Sequence, residues 1–171
     1  MLRKTLFARQ NTLLFALAAS GVILPSAAPG EGIPKVLLSE QHKAMCKVGV
    51  GDTLPFKRPI AGKAATVLVL VEGDGWMTRQ LLKDVGPDVS KPFRDKGVEP
   101  IAMFVREQAK QSDDYTALAD PAGKDFSKLG SGALPRVYVL DADSKIVWFD
   151  IEYVRSTRRE LRQTLEALTA K

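Results

Sequence analysis

The strongest pattern in the chain is an almost unbroken apolar, β-branched run at residues 66–71, TVLVLV. A run without polar alternation suits a strand covered on both faces, as in the middle of an α/β sheet. Residues 98–105 (VEPIAMFV) predict a second strand. Pro100 cannot donate to a ladder, so this strand is expected at a sheet edge or starting near Ile101. Between the two, Trp76, Leu81, Leu82 and Val85 recur at helical spacing, with Asp74 as a candidate cap. Gly86-Pro87 is expected to end or kink that helix. Residues 88–95 predict a further helical stretch, interrupted by Pro92. Strand, helix and strand over 66–105 have the size of one βαβ unit, whose crossover is right-handed.

The second half changes rhythm. Ser112-Asp113-Asp114 can cap a short helix running to Leu118. Residues 119–123 read as a turn, and 124–129 as a short helix closed by Gly130. Leu134-Pro135 introduces a strand at 136–140; a hairpin turn at 141–145 follows, then a returning strand at 146–151. Val147, Phe149 and Ile151 are expected on one side of that strand. Thr157-x-x-Glu160 has the form of a capping box. It opens a terminal helix with Leu161, Leu165 and Leu168 on one face. Toward the N-terminus, 29–35 contains Pro29, Gly30, Gly32 and Pro34 and reads as a linker; 36–47 predicts a short helix, and 60–63 a tight turn at Gly62.

Composition fits this layout. The chain has 171 residues, 45% hydrophobic and 26% charged, which suits one globular domain and a short extra segment. The formal charge is +5, but Arg3, Lys4 and Arg9 lie in the first 28 residues, where there is no acid. Setting those three aside leaves basic and acidic residues nearly balanced and interspersed. A nucleic-acid partner would need a basic stripe, and none is present. The same three residues form the positive start of a secretory signal. An apolar stretch at 12–24 follows, too short to span a bilayer comfortably, and then the small residues Ser26-Ala27-Ala28. Pro29 directly after the expected cut disfavours cleavage. Residues 1–28 are therefore expected as a signal peptide or as a retained membrane tether, with the protein exported. A buried amphipathic helix fits poorly, because the stretch is apolar around its whole circumference.

The one cysteine, Cys46, excludes an internal disulfide. Lys43-Ala44-Met45 before it lacks the apolar character of a lipid-attachment motif. His42, the only histidine, would share a helical face with Cys46. Two ligands are too few for structural zinc, so neither metal nor cofactor is expected, and Cys46 reads as an ordinary surface or half-buried thiol.

The element order is β-α-β, a helical connection, a β-hairpin and a last helix. Residues 48–56 (VGVGDTLPF) resemble the VGD-x-x-P-x-F-type opening of redoxin, peroxiredoxin-like and TlpA-like proteins. Asp120-Pro121-x-Gly123, then Leu129-Gly130, then 134–141 (LPRVYVLD) resemble their C-terminal half. The resemblance covers about residues 46–170. It implies a thioredoxin-like three-layer α/β sandwich over 48–171, with a central mixed sheet flanked by helices and residues 29–47 as linker and short helix. It also implies a cis peptide bond at Leu134-Pro135, next to a groove that takes extended peptide. Ser144 stands where the hairpin glycine is usual.

The departure is chemical. The family carries Trp-Cys-x-x-Cys-Arg where the first core strand meets its helix, and the helix N-terminus lowers the first thiol's pKa. Aligning the arginine on Arg79 places Gly75, Trp76, Met77 and Thr78 at the Cys-x-x-Cys positions, with no cysteine among them. A threonine hydroxyl does not ionise readily enough to replace a thiolate. Three readings stay open: a non-catalytic module binding a protein or peptide partner; a redox protein working through Cys46 alone; a membrane-tethered structural subunit. The arginines at 155, 158, 159 and 162 fit an acidic partner or phospholipid, or a solvated helix face.

Overall fold

The computed structural model describes residues 32–56 and 64–170. The expected signal or tether at 1–28, the first linker residues at 29–31 and the turn at 60–63 lie outside them. Five strands form one sheet in the order β3-β2-β1-β4-β5. They are β1 (Ala65–Val71), β2 (Val98–Val105), β3 (Thr116–Asp120), β4 (Arg136–Asp141) and β5 (Ile146–Asp150). β1, β2 and β3 run parallel, and β4 and β5 antiparallel.

β1 is buried at every position, as its apolar run requires. Its alternate residues feed two cores. Val67 and Val69 join Leu81, Val85, Leu161 and Leu165 on one face. Leu68 and Leu70 join Ile101, Phe126, Leu129 and Phe149 on the other. Each such side chain contributes about 1.5–3 kcal/mol by leaving water. The first face is covered by α2 (Trp76–Val85) and α5 (Arg155–Thr169), and the second by the short α4 (Phe126–Leu129). The short α1 (Glu40–Ala44) is the only helix in the segment before β1 among the described residues. Val36, Leu38, Met45 and Cys46, in the stretch expected as a short helix, pack on the second core, and the helix itself covers only Glu40–Ala44.

Several local expectations give way to tertiary pairing. Pro100 lies in β2 opposite Val67, and β2 is an interior strand beginning at Val98. β3 begins pairing only at Ile101, so Pro100 sits where β2 has no neighbour on that side. Residues 116–120 are strand β3, where a helix ending at Leu118 and a turn from 119 were expected. The Ser112 hydroxyl accepts from the Asp114 N–H at 3.2 Å and turns the chain instead of capping a helix. α2 ends at Val85 with Gly86 as its C-cap, as Gly86-Pro87 predicts. The chain continues through a π-turn (Gly86–Ser90) into a single turn, α3 (Lys91–Phe93). Pro87 and Pro92 each sit in the first positions of their segments, where the absent N–H matters least. An added Cβ at Gly86 would lie 2.5 Å from the Asp114 carboxylate, which would have to swing aside.

Irregularity between Val139 and Leu140 shifts the β4–β5 register. Ile146, Phe149 and Ile151 therefore share the second core, while Val147 turns to the first beside Trp148. α5 starts at Arg155, so Thr157 is its third residue and not its cap. The Thr157 hydroxyl accepts from the Val154 N–H at 3.1 Å and donates to Asp150 at 2.7 Å. Leu161 and Leu165 are buried and Leu168 packs beside them, as the helical spacing predicts. α2 and α5 are also tied by the buried Asp84 carboxylate, which accepts from the Tyr153 hydroxyl at 3.0 Å and from Gln80, with Arg158 3.3 Å away. Burial, then the bond to Asp84, pushes the Tyr153 hydroxyl far up. No helix among the described residues is long and apolar enough to cross a membrane.

Candidate functional site

Leu70 pairs with Arg136 across β1 and β4. That register puts Leu134-Pro135, just before β4, at the sheet end where β1 runs into α2. The Leu134–Pro135 peptide bond is cis. Gly75 is the N-cap of α2, with extended backbone and no side-chain cap; Asp74 does not take that role. The first helical N–H groups therefore have no side-chain partner. Trp76 and Met77 stand out from the surface, 66% and 38% exposed. Thr78, at 4%, turns inward, and its hydroxyl donates to the Glu72 carbonyl at 3.2 Å. The Arg79 guanidinium donates to the Asp74 carbonyl, and its N–H to Gly75 at 3.0 Å. Residues 75–79 and Leu134-Pro135 thus lie at the same end of the sheet.

This loop is fixed from outside. Glu72 receives a two-pronged bond from Arg106, at 2.5 and 2.6 Å. The Arg106 hydrogen bond holds the Glu72 carboxyl below its ordinary value, outweighing partial burial. Arg106 has a φ of +58°, unusual for a side chain of its size, and its N–H bonds the Asp120 carbonyl at 2.8 Å. Gly73, with φ +65°, donates to the Glu107 carboxylate. Glu72 and Arg106 carry no sequence signal, because the pair forms only when β1 and β2 align side by side.

Cys46 lies elsewhere. It packs on the core opposite the one that α2 covers. Residues 45–47 run beside 129–131, with Lys47 N–H on Leu129 O and Ser131 N–H on Met45 O, each 2.9 Å. The half-buried Cys46 thiol donates to the His42 carbonyl at 3.3 Å. Beneath it is Arg136, 0% exposed. Its guanidinium donates to Ala133 O at 3.2 Å, Met45 O at 3.3 Å and Ser131 O. It also stacks over the Phe126 ring at 5.2 Å. Burial pushes the Cys46 thiol above its ordinary pKa, and Arg136 only partly opposes this. Such a thiol is protonated and slow near neutral pH. His42 approaches Glu152 at 3.6 Å. Among the described residues no cluster of three or more His, Cys, Asp or Glu could hold a metal ion.

No family model matches the chain, and no curated protein matches it in sequence. Solved structures do match. A candidate protein disulfide isomerase from Bacteroides thetaiotaomicron superposes with a TM-score of 0.62 at 17% identity, over 75% of this chain and 94% of the other. A candidate thiol:disulfide interchange protein, DsbE, from Chlorobium tepidum gives 0.60 at 15%, over 72% and 99%. A secreted thiol-disulfide isomerase from Corynebacterium glutamicum gives 0.51 at 16%, over 64% and 72%. The fold is thioredoxin-like. At these identities the likeness establishes the fold alone. The three-layer sandwich with a mixed sheet expected from the sequence is present. Within the thioredoxin-like frame, Gly75 and Thr78 hold the cap and third positions of the helix after the first core strand. Two side chains so placed face the same side of the helix start. The chain supplies no thiol at either position, since its single cysteine is Cys46.

Proposed function

We propose that this protein is an exported thioredoxin-like module that binds a protein or extended peptide and does not exchange disulfides. The observation that carries this reading is the combination at the start of α2. Trp76 and Met77 are exposed at the sheet end that holds Leu134-Pro135, while Gly75 and Thr78, which the resemblance aligns with the family's cysteines, carry no thiol. Backbone before Pro135 can pair with an extended guest by strand addition, which needs no cysteine. An exposed tryptophan and methionine can then cover an apolar guest side chain. Export is supported by the layout of residues 1–28 and by a structural neighbour named as a secreted isomerase.

Two experiments bear on this together. Insulin-disulfide reduction by the purified protein and by its Cys46→Ala variant is expected to stay at background in both. Binding of an extended peptide library is expected to weaken about tenfold with Trp76→Ala, the effect of losing one central aromatic contact. Turnover that disappears with Cys46→Ala would instead make this a single-cysteine redox protein. A retained tether would appear as an uncleaved N-terminus in the mass of the exported chain, and would favour a membrane-attached subunit.

A further inference from the structure

β5 ends the sheet, and only its first residue is closed from outside. The Ile146 N–H donates to the Asp52 carbonyl, and the Ile146 carbonyl accepts from the Gly51 N–H, each at 2.8 Å. Beyond Ile146, β5 has no strand neighbour on its open side among the described residues. The segment before α1 crosses that edge instead. Ile33 packs on the first core, Leu38 on the second and Val36 on both. The crossing has no regular structure and makes no ladder with β5. It leaves a slot of about 230 Å³, walled by residues 36–38, by Trp148 and Phe149 of β5 and by Ser156 of α5. Leu37 is exposed there.

The ionisable residues of the slot are Asp150 and Glu160, and no basic residue among those described lines it. Asp150 is already engaged. Its carboxylate accepts from the Ile151 and Glu152 N–H groups at 2.8 and 3.3 Å and from the Thr157 hydroxyl at 2.7 Å. Glu160 is half-buried, and its ion partner is the Arg159 guanidinium, 3.3 Å away and well exposed. So open an ion pair is worth at most about 1 kcal/mol, and an incoming cation can displace it. The slot is smaller than the roughly 300–1,000 Å³ of small-molecule sites and holds about one long side chain. Its apolar walls suit the methylene stem of lysine or arginine, and its carboxylate suits the charged head. We propose that the slot between residues 36–38, β5 and α5 receives a lysine or arginine side chain from an extended segment of a partner protein. The guest main chain lies along the open edge of β5, which supplies the backbone bonds while the slot supplies the selectivity. This site shares no residue with the α2 surface and stands whether or not peptide binds there.

The test follows tryptophan fluorescence of the full-length chain carrying Trp76→Phe, which leaves Trp148 as the reporter. The probes are an acetylated, amidated peptide of sequence Val-Thr-Val-Lys-Val-Thr and the same peptide with glutamate in place of lysine. The lysine peptide is expected to change the Trp148 signal saturably, and the glutamate peptide to leave it unchanged. Adding Glu160→Gln should weaken the lysine peptide about tenfold, the effect of one hydrogen bond to a charged group. Adding Arg159→Ala removes the competing cation and should tighten binding by up to about fivefold. Absence of a saturable signal, equal affinity for the two peptides, or an affinity that Glu160→Gln leaves unchanged would overturn the proposal. So would binding, followed by calorimetry, that occurs only when Trp76 is present, which would place the peptide at α2.

Discussion

At the start of α2, Trp76 and Met77 stand in solvent around an uncapped helix end; across the sheet, Cys46, Arg136 and Tyr138 are enclosed around a loop crossing. The first region has the backbone arrangement that favours an ionised thiol and has no thiol. The second has the thiol, in surroundings that keep it protonated. The uncapped helix start and the chain's one thiol therefore lie in different parts of the fold. On the function proposed above, what stays at the α2 end is a surface that holds a guest.

The largest effect should follow from reuniting them. Gly75→Cys with Thr78→Cys places two thiols at the cap and third positions of α2, and insulin reduction should rise from background to clear turnover. A double variant that folds but stays inactive would show that the α2 end has lost more than its cysteines.

Next is Arg136→Ala, which removes donors to Ala133, Ser131 and Met45 and opens a void beside Phe126. It should cost about 3 kcal/mol in denaturant unfolding, as expected for a buried polar network that loses its centre. A cost below about 1 kcal/mol would mean that the buried corner is held by packing alone.

The pH response should be gradual. Cys46, Tyr115, Tyr138 and Tyr153 all titrate above their ordinary values in the folded chain, each chiefly because burial disfavours the anion. Folding thus favours their protonated forms. Their contribution is full below the unfolded pKa values, near 9.0 for the thiol and 10.0 for the phenols, and is lost as pH rises beyond them. Denaturant midpoints should be flat in this respect from pH 7 to 8 and fall above about 9. Alkylation of Cys46 should lag a free thiol at pH 8 and still be accelerating at pH 10.

The smallest effect belongs to Trp76→Ala, which should change stability by no more than about 0.5 kcal/mol while weakening peptide binding. A large loss of stability would place Trp76 in the core's service and not in binding.

The parts of this fold that the sequence reveals are those where one strand or helix decides its own state. β1 is legible because all its residues but Thr66 are apolar, and α5 because its leucines recur at helical spacing. β3 is not legible. Residues 116–120 (TALAD) are short and half-buried, and become a strand only by pairing with β2. Pro100 reads as an edge signal, and the edge is real but covers only the part of β2 that overhangs β3. At the α2 end, residues 75–79 and Leu134-Pro135 are legible only through the resemblance to the redoxin families. Arg136 and Tyr138 are not, because an arginine opening a strand looks like a surface residue until residues 45 and 129–133 close over it. Asp84 is hidden for the same reason, since its donors Tyr153 and Arg158 lie about 70 positions away.

The most direct test of the separation is insulin-disulfide reduction by the wild-type protein beside Cys46→Ala, with Gly75→Cys/Thr78→Cys as the positive arm. Background rates in the first two and turnover in the third are the predicted result. Turnover by the wild type that Cys46→Ala abolishes would contradict it, and would put the chemistry at the buried corner.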